Sequence, residues 1–360
     1  MTKKTRVLYT IPNFDTAGSG KVLYDLAKGL DKTKFEVIIA CTHNKGAFFK
    51  EVEDLGLPMH IIDATVPLRP YFSLISRVKP FKLFLKEQSI DIVHSWHWSS
   101  DWSEVLASRF ANAKFVFTKK AMSWGNMHWK LRSFLSHFII TVNTEMKMFF
   151  PYKKQQQLIP FGLDTAYYNS DLFLKDDDCS VFKIITVANL VAVKGIETLV
   201  RAIKNTQKSD IFLKVIGDDK NEYANYLKNL VKGLGLENQI SFLGKENDVR
   251  SFLAQADLYI IPSKKEGMPM ALIEAMAMQV PVLGSNIPGI HYILKDFENL
   301  LFEVENDDML SEKILMMYHK SSEERTTIGK ELRNYSEVHF SLNSFISAHE
   351  TLYSNLARNR

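Results

Sequence analysis

Cysteine is almost missing from this chain: Cys41 and Cys179 are the only two in 360 residues. Two isolated thiols make neither a disulfide framework nor a zinc spacing, so a reducing compartment is the expected setting. Long apolar runs are missing too, and none approaches the ~20 residues that span a bilayer. The start of the chain lacks the apolar core of a signal peptide. The expected location is therefore cytoplasmic, either free or peripheral on the inner face of the cell membrane. No internal repeat beyond a shared domain pattern and no low-complexity tract breaks the sequence. The acidic runs at 176–178 and 218–219 stand on no scaffold with ligand spacing, so they read as solvated turns and no metal is expected.

What is present is ordinary in bulk, with 46% apolar and 24% charged residues, and uneven in detail. Residues 1–165 hold 23 lysines and arginines against 14 acids, a balance of +9, and the rest of the chain carries −5. A basic half joined to an acidic half implies different partners for each. Nucleic acid is disfavoured as a partner, because half the chain is acidic and no binding motif occurs. Basic and aromatic residues mix at 69–86 and 124–130, which suits a membrane surface or a polyprenyl-pyrophosphate headgroup. A half-buried helix with a solvated basic side fits the same pattern.

The chain is long enough for two domains. Strand-like runs at 6–10, 35–41, 91–94, 114–118 and 138–142, with helical periodicity at 20–30, predict a parallel doubly wound sheet. Residues 171–181 read as an acidic linker. The pattern then restarts, with strands predicted at 183–187, 211–216, 240–243, 258–261 and 281–283 and helices at 195–204, 223–233 and 247–255. Residues 342–356 have apolar positions at helical spacing. The predicted division is 1–165, 166–341 and a terminal helix at 342–360.

The most informative stretch runs from 256 to 284. A buried strand ends at Pro262, Glu266 lies in a loop, Gly267 allows close backbone approach, and Pro269 suits the first position of a helix. Strong helix formers continue from Met270 to Gln279 and place Glu274 about 8 Å along the axis. A helix start binds anions through its unpaired N–H groups and its dipole. A ligand with a central pyrophosphate and hydroxylated groups at both ends, such as a nucleotide-sugar, would fit that order.

The glutamate pair, with seven residues between, resembles the signature of retaining glycosyltransferases of the GT-B fold, family 4 (group 1). The resemblance covers nearly the whole chain, its specific motifs lying between 183 and 290. It implies an α/β protein of two doubly wound Rossmann-like domains facing a cleft, with the terminal helix returning to the N-terminal, acceptor-binding domain. It also implies that Glu266 faces the transferred sugar, Glu274 holds the ribose, and Gly267, Met268 and Pro269 line the donor. Lys194, before Gly195, matches the family lysine that neutralises the diphosphate; a solvated surface lysine is the alternative. Asn189 stands where the family has an arginine, which removes one cation from the expected donor site.

Gly18 falls in the family's glycine loop before the first helix, although a plain turn fits equally. The same segment fails as a phosphate-binding P-loop, because Asp15 and Val22 occupy the required Gly and Ser/Thr positions. It fails as a dinucleotide fingerprint because Leu23 replaces the third glycine. His97, at the end of a strand, is an acceptor-binding candidate, while His94 reads as a packed histidine. The family's donor-contacting histidine is missing after residue 118, where Lys119 and Lys120 become candidates for an anionic group. The implied partners are a UDP- or GDP-sugar donor and a saccharide or lipid-linked saccharide acceptor, with no cofactor. A sugar-nucleotide 2-epimerase of the same fold and a non-catalytic sugar-nucleotide-binding protein stay open as alternatives.

Overall fold

The computed structural model describes residues 3–15, 17–46, 48–174 and 181–358. The acidic run at 176–178, Cys179 and most of the expected linker lie outside these. The chain divides into two compact units, Met1–Gly162 with Leu342–Arg360, and Leu163–Ser341.

In the first unit the strands are β1 (Thr5–Thr10), β2 (Phe35–Cys41), β3 (Met59–Ile61), β4 (Ile92–Ser95), β5 (Lys114–Lys119), β6 (Phe138–Thr141) and β7 (Gln156–Leu158). Between them run α1 (Ala17–Gly29), α2 (Phe49–Glu53), α3 (Leu74–Arg77), α4 (Lys79–Glu87), α5 (Ser103–Phe110) and α6 (Met127–Leu135). The sheet is parallel throughout, in the order β3-β2-β1-β4-β5-β6-β7. Its central strands are apolar on both faces, as a sheet covered on both sides requires. Leu8, Ile38, Val93, Phe115 and Ile139 pack with Phe81 and Leu85 of α4 and Val105 of α5. Helix α4 follows the half-buried reading of the 69–86 segment, with Lys79 and Lys86 exposed. Residues 17–19, expected to precede the first helix, already lie in its first turn.

The second unit repeats the plan with β8 (Phe182–Val187), β9 (Ile211–Ile216), β10 (Ile240–Gly244), β11 (Leu258–Ile261), β12 (Val282–Ser285) and β13 (Leu301–Phe302). Its helices are α7 (Ile196–Thr206), α8 (Glu222–Leu234), α9 (Arg250–Ala254), α10 (Met270–Ala277), α11 (Pro288–Ile293), α12 (Asp307–Tyr318) and α13 (Ser322–His339). The order β10-β9-β8-β11-β12-β13 is that of a dinucleotide-binding domain. Strands β3, β7 and β13 escape sequence reading because they are two- or three-residue edge strands, too short for a hydrophobic period.

The last helix, α14 (Leu342–Arg358), belongs to the first unit and buries Phe345, His349, Leu352 and Tyr353 there. The Tyr353 hydroxyl lies 2.6 Å from His94 Nδ1 and bonds the Tyr9 hydroxyl at 3.2 Å; His94 Nε2 meets Thr118 Oγ1 at 2.6 Å. His94 is thus fully engaged in holding β1, β4, β5 and α14 together. Burial keeps it well below the ordinary histidine range, hence neutral.

Candidate active site

Strand order reverses between β8 and β11, where the connections from the two strands leave in opposite directions and open a crevice at their carboxyl ends. β8 and β11 are hydrogen-bonded neighbours, so the loops that follow them emerge side by side. The first carries Asn189 and ends in the turn Ala192–Lys194. The second carries Ser263 to Pro269. Lys264 N–H donates to the Val193 carbonyl at 2.8 Å and fastens one loop to the other. Gly195, at φ +62°, sits so close to the second loop that an added Cβ would lie 2.3 Å from the Pro262 carbonyl oxygen. Only glycine allows that approach.

The fastening brings together two residues 72 positions apart: Lys194 Nζ lies 2.5 Å from Glu266 Oε1. Ser263 Oγ donates to the same carboxylate oxygen at 2.8 Å, and Ser285 Oγ donates to the Ser263 carbonyl at 2.5 Å. The Lys194 and Glu266 side chains keep 22% and 12% of their surface in water, so the pair stands at the mouth of the crevice. Gly289 of α11 packs against the Glu266 and Gly267 carbonyls, where a Cβ would come within 2.6 Å of both oxygens. Gly267, Met268 and Pro269 are buried at the start of α10, whose fifth residue is the half-buried Glu274. Asn189 is exposed at the head of its loop.

Beneath the two glutamates lies a residue that no motif signals. Tyr259 of β11 is fully buried, and its hydroxyl finds no partner among the described residues. Burial, with the charges of Glu274 and Glu266, holds its pKa well above the ordinary tyrosine range. Ser263 and Ser285 also went unread, since a serine after a strand carries no signal until its neighbour across the sheet is known.

The other candidates belong to the first unit, around the carboxyl ends of β1, β4 and β5. Gly18 is exposed in the first turn of α1, with open space around it. Lys119 is buried; its ammonium donates to the Ser123 carbonyl and sits 4.1 Å from the Trp129 ring centre. Lys120 is half-buried, donates to Ser19 Oγ at 3.2 Å and to the Trp96 carbonyl, and lies 5.5 Å from both the Trp96 and Trp98 rings. Burial and the Arg132 guanidinium lower its pKa to about 7. His97 is 5% exposed, and burial together with Arg132 and Lys120 lowers it to about 3.

Arg132 itself is fully buried, 3.4 Å from the equally buried Glu104, which also accepts from Ser95 Oγ at 2.6 Å and from Thr10 Oγ1. This cluster was invisible in the sequence, since its charges lie 28 residues apart on two different helices, α5 and α6. Among the described residues no group of three His, Cys, Asp or Glu side chains converges at metal-binding range.

Two doubly wound parallel domains, the second with an acid–base pair at its switch point, define the GT-B class of two Rossmann-like domains. Comparison places the chain within that class. Residues 16–150 match the family model described as Glycosyltransferase Family 4, and residues 179–335 match that described as Glycosyl transferases group 1. The chain belongs to this glycosyltransferase family. It is 27% identical over 230 residues to N-acetyl-alpha-D-glucosaminyl L-malate synthase of Bacillus anthracis, the alignment taking in 62% of this chain and 59% of that relative. It is 24% identical over 325 residues to the capsular polysaccharide biosynthesis glycosyltransferase CapH of Staphylococcus aureus, with 83% and 86% covered. The crystal structure of Anabaena HepE in complex with UDP and glucose superposes with a TM-score of 0.83 at 17% identity, over 97% of this chain and 99% of that one.

Proposed function

We propose that the chain is a retaining hexosyltransferase. In this reading it moves a sugar from a nucleotide-sugar to an acceptor hydroxyl during synthesis of a surface polysaccharide or its lipid-linked precursor. The carrying observation is the Lys194–Glu266 pair on the two loops that leave β8 and β11. Its cation suits a departing diphosphate and its carboxylate suits the hydroxyls of a sugar ring. The start of α10 adds backbone N–H groups and a dipole for the same negative charge. Glu274, a further turn along, takes the ribose hydroxyls. The UDP and glucose in the Anabaena structure and the capsule-building relative support a nucleotide-sugar donor and a polysaccharide product.

In the reaction the bond from the anomeric carbon to the diphosphate oxygen breaks, and the acceptor oxygen bonds that carbon on the same face. The acceptor proton passes to the departing diphosphate oxygen. Lys194 and the helix start carry the charge that builds on the leaving group, so no divalent metal is invoked. Of the two lysines offered for an anionic acceptor, Lys120 is the better placed, because Lys119 is almost wholly enclosed.

The test is to screen nucleotide-sugars by thermal shift, then add saccharide acceptors with and without EDTA. Diphosphate release on acceptor addition, an α-linked product from an α-linked donor, and indifference to EDTA are expected. A new sugar-nucleotide formed without acceptor would instead make the chain an isomerase. Tight binding with neither outcome would make it a binding protein.

A further inference from the structure

Helix α6 is built the wrong way round for a surface helix. Its inward face carries Trp129, Arg132 and Ser133, all buried. Its solvent side carries Met127, Leu131 and Phe134, which are 72%, 37% and 68% exposed. These three follow the i, i+4, i+7 spacing of one helical stripe, which a surface helix normally reserves for its core. The stripe forms one wall of an open groove of about 480 Å³ whose other sides are Tyr71, Trp102 and Tyr152. The polar ends of two aromatic walls, Trp102 and Tyr152, are tied inward. Trp102 Nε1 donates to His128 Nδ1 at 3.1 Å, and the Tyr152 hydroxyl meets Ser133 Oγ at 2.5 Å. What faces water is therefore apolar. Phe72 and Ile75, next to Tyr71 along the chain, are 90% and 67% exposed as well. Apolar exposure concentrated in this way marks an interaction surface.

The charge around the groove selects the partner. Lys130 lines it and, among the described residues, no acid does; the exposed Lys154 follows Tyr152 by two residues. The first 165 residues carry the +9 balance. A two-fold pairing of this face with a second copy would set one basic rim against another, whereas an anionic bilayer complements both the charge and the apolar stripe. We propose that the solvent face of α6, with the Tyr71–Ser73 turn, seats in the headgroup layer of a bilayer containing anionic phospholipid. Phe134, Met127 and Phe72 enter the acyl boundary and Lys130 pairs with lipid phosphate. Among the described residues no helix is long and apolar enough to cross a membrane, so the contact is interfacial and reversible.

The experiment is co-sedimentation of the full chain with vesicles of phosphatidylcholine, with and without phosphatidylglycerol, at low and high sodium chloride. Binding to the phosphatidylglycerol vesicles that weakens in high salt is expected. The double variant Phe72→Ser/Phe134→Ser should cut partitioning by about tenfold or more. Lys130→Glu should cut it by about fivefold on anionic vesicles and leave neutral ones unaffected. All substituted positions are exposed, and thermal melts check that each variant stays folded. The proposal fails if the wild-type chain ignores anionic vesicles, or if the double variant binds as well as wild type. It also fails if sedimentation velocity shows a dimer that Phe134→Ser dissolves, which would make a second copy the occupant. No sugar donor enters the assay, so its outcome is independent of the donor-site reading.

Discussion

Replacing Lys194 with methionine separates a structural ion pair from a catalytic one. The pair is 12–22% exposed, between surface pairs worth ~0–1 kcal/mol and buried pairs whose rupture costs ~3–5 kcal/mol. Breaking it from either side should thus cost about 1–2 kcal/mol of stability. Removing both charges in Lys194→Met/Glu266→Gln should return most of that loss, because neither partner is left uncompensated. Turnover should behave in the opposite way. If Lys194 stabilises the leaving diphosphate, its loss should lower kcat by ~10²–10³, about 3–4 kcal/mol of transition-state stabilisation. Glu266→Gln should cost a similar factor by loosening the sugar. The double variant should then be at least as slow as the slower single, since the two groups act on different parts of the donor. Urea unfolding and steady-state diphosphate release on the four proteins complete the cycle. Recovery of turnover in the double variant would refute the catalytic assignment and leave only a loop fastener. So would wild-type donor affinity and rate in Lys194→Met.

Gly195→Ala should cost about 2–4 kcal/mol and weaken donor binding, because a side chain at φ +62° must also push Pro262 away; an unchanged urea midpoint would contradict the close approach. Tyr259→Phe should leave stability level or raise it by up to ~1 kcal/mol, since its buried hydroxyl has no partner among the described residues; a loss beyond that would reveal a hydrogen bond. Arg132→Met strands the buried Glu104 carboxylate and should cost about 3–5 kcal/mol by calorimetry, with substantial relief when Glu104→Gln is added. Lys120 titrates near 7 when folded and near 10.5 when unfolded. Between those values the unfolded chain binds the extra proton, so stability should rise with pH, by ~1–2 kcal/mol from pH 7 to 9 after allowance for partial exposure. Lys120→Met should flatten that rise, and an identical pH profile in the two proteins would show the lysine to be unperturbed.

Local chemistry by itself determined that this chain makes two parallel doubly wound domains. Runs such as Val7–Tyr9 or Ile184–Ile185 are apolar on both faces, and only a sheet covered on both sides can bury them. It also determined the order strand, Glu266, Gly267, Pro269, helix, because glycine and proline act on the backbone next to them. Edge strands such as Met59–Ile61 were illegible, being too short for any period to register. What only the tertiary structure decided was which distant groups meet. Lys194 reaches Glu266 because β8 and β11 are neighbours, Tyr259 feels the charges of both glutamates, and Arg132 of α6 pairs with Glu104 of α5 in the interior of the first unit. The outward apolar stripe of α6 belongs with these, since its spacing gives a helix but not the side that faces water. Hydrophobic period and turn chemistry act over a few residues, whereas charge pairing, exposure and an orphaned hydroxyl depend on strand order, which no local run of residues encodes.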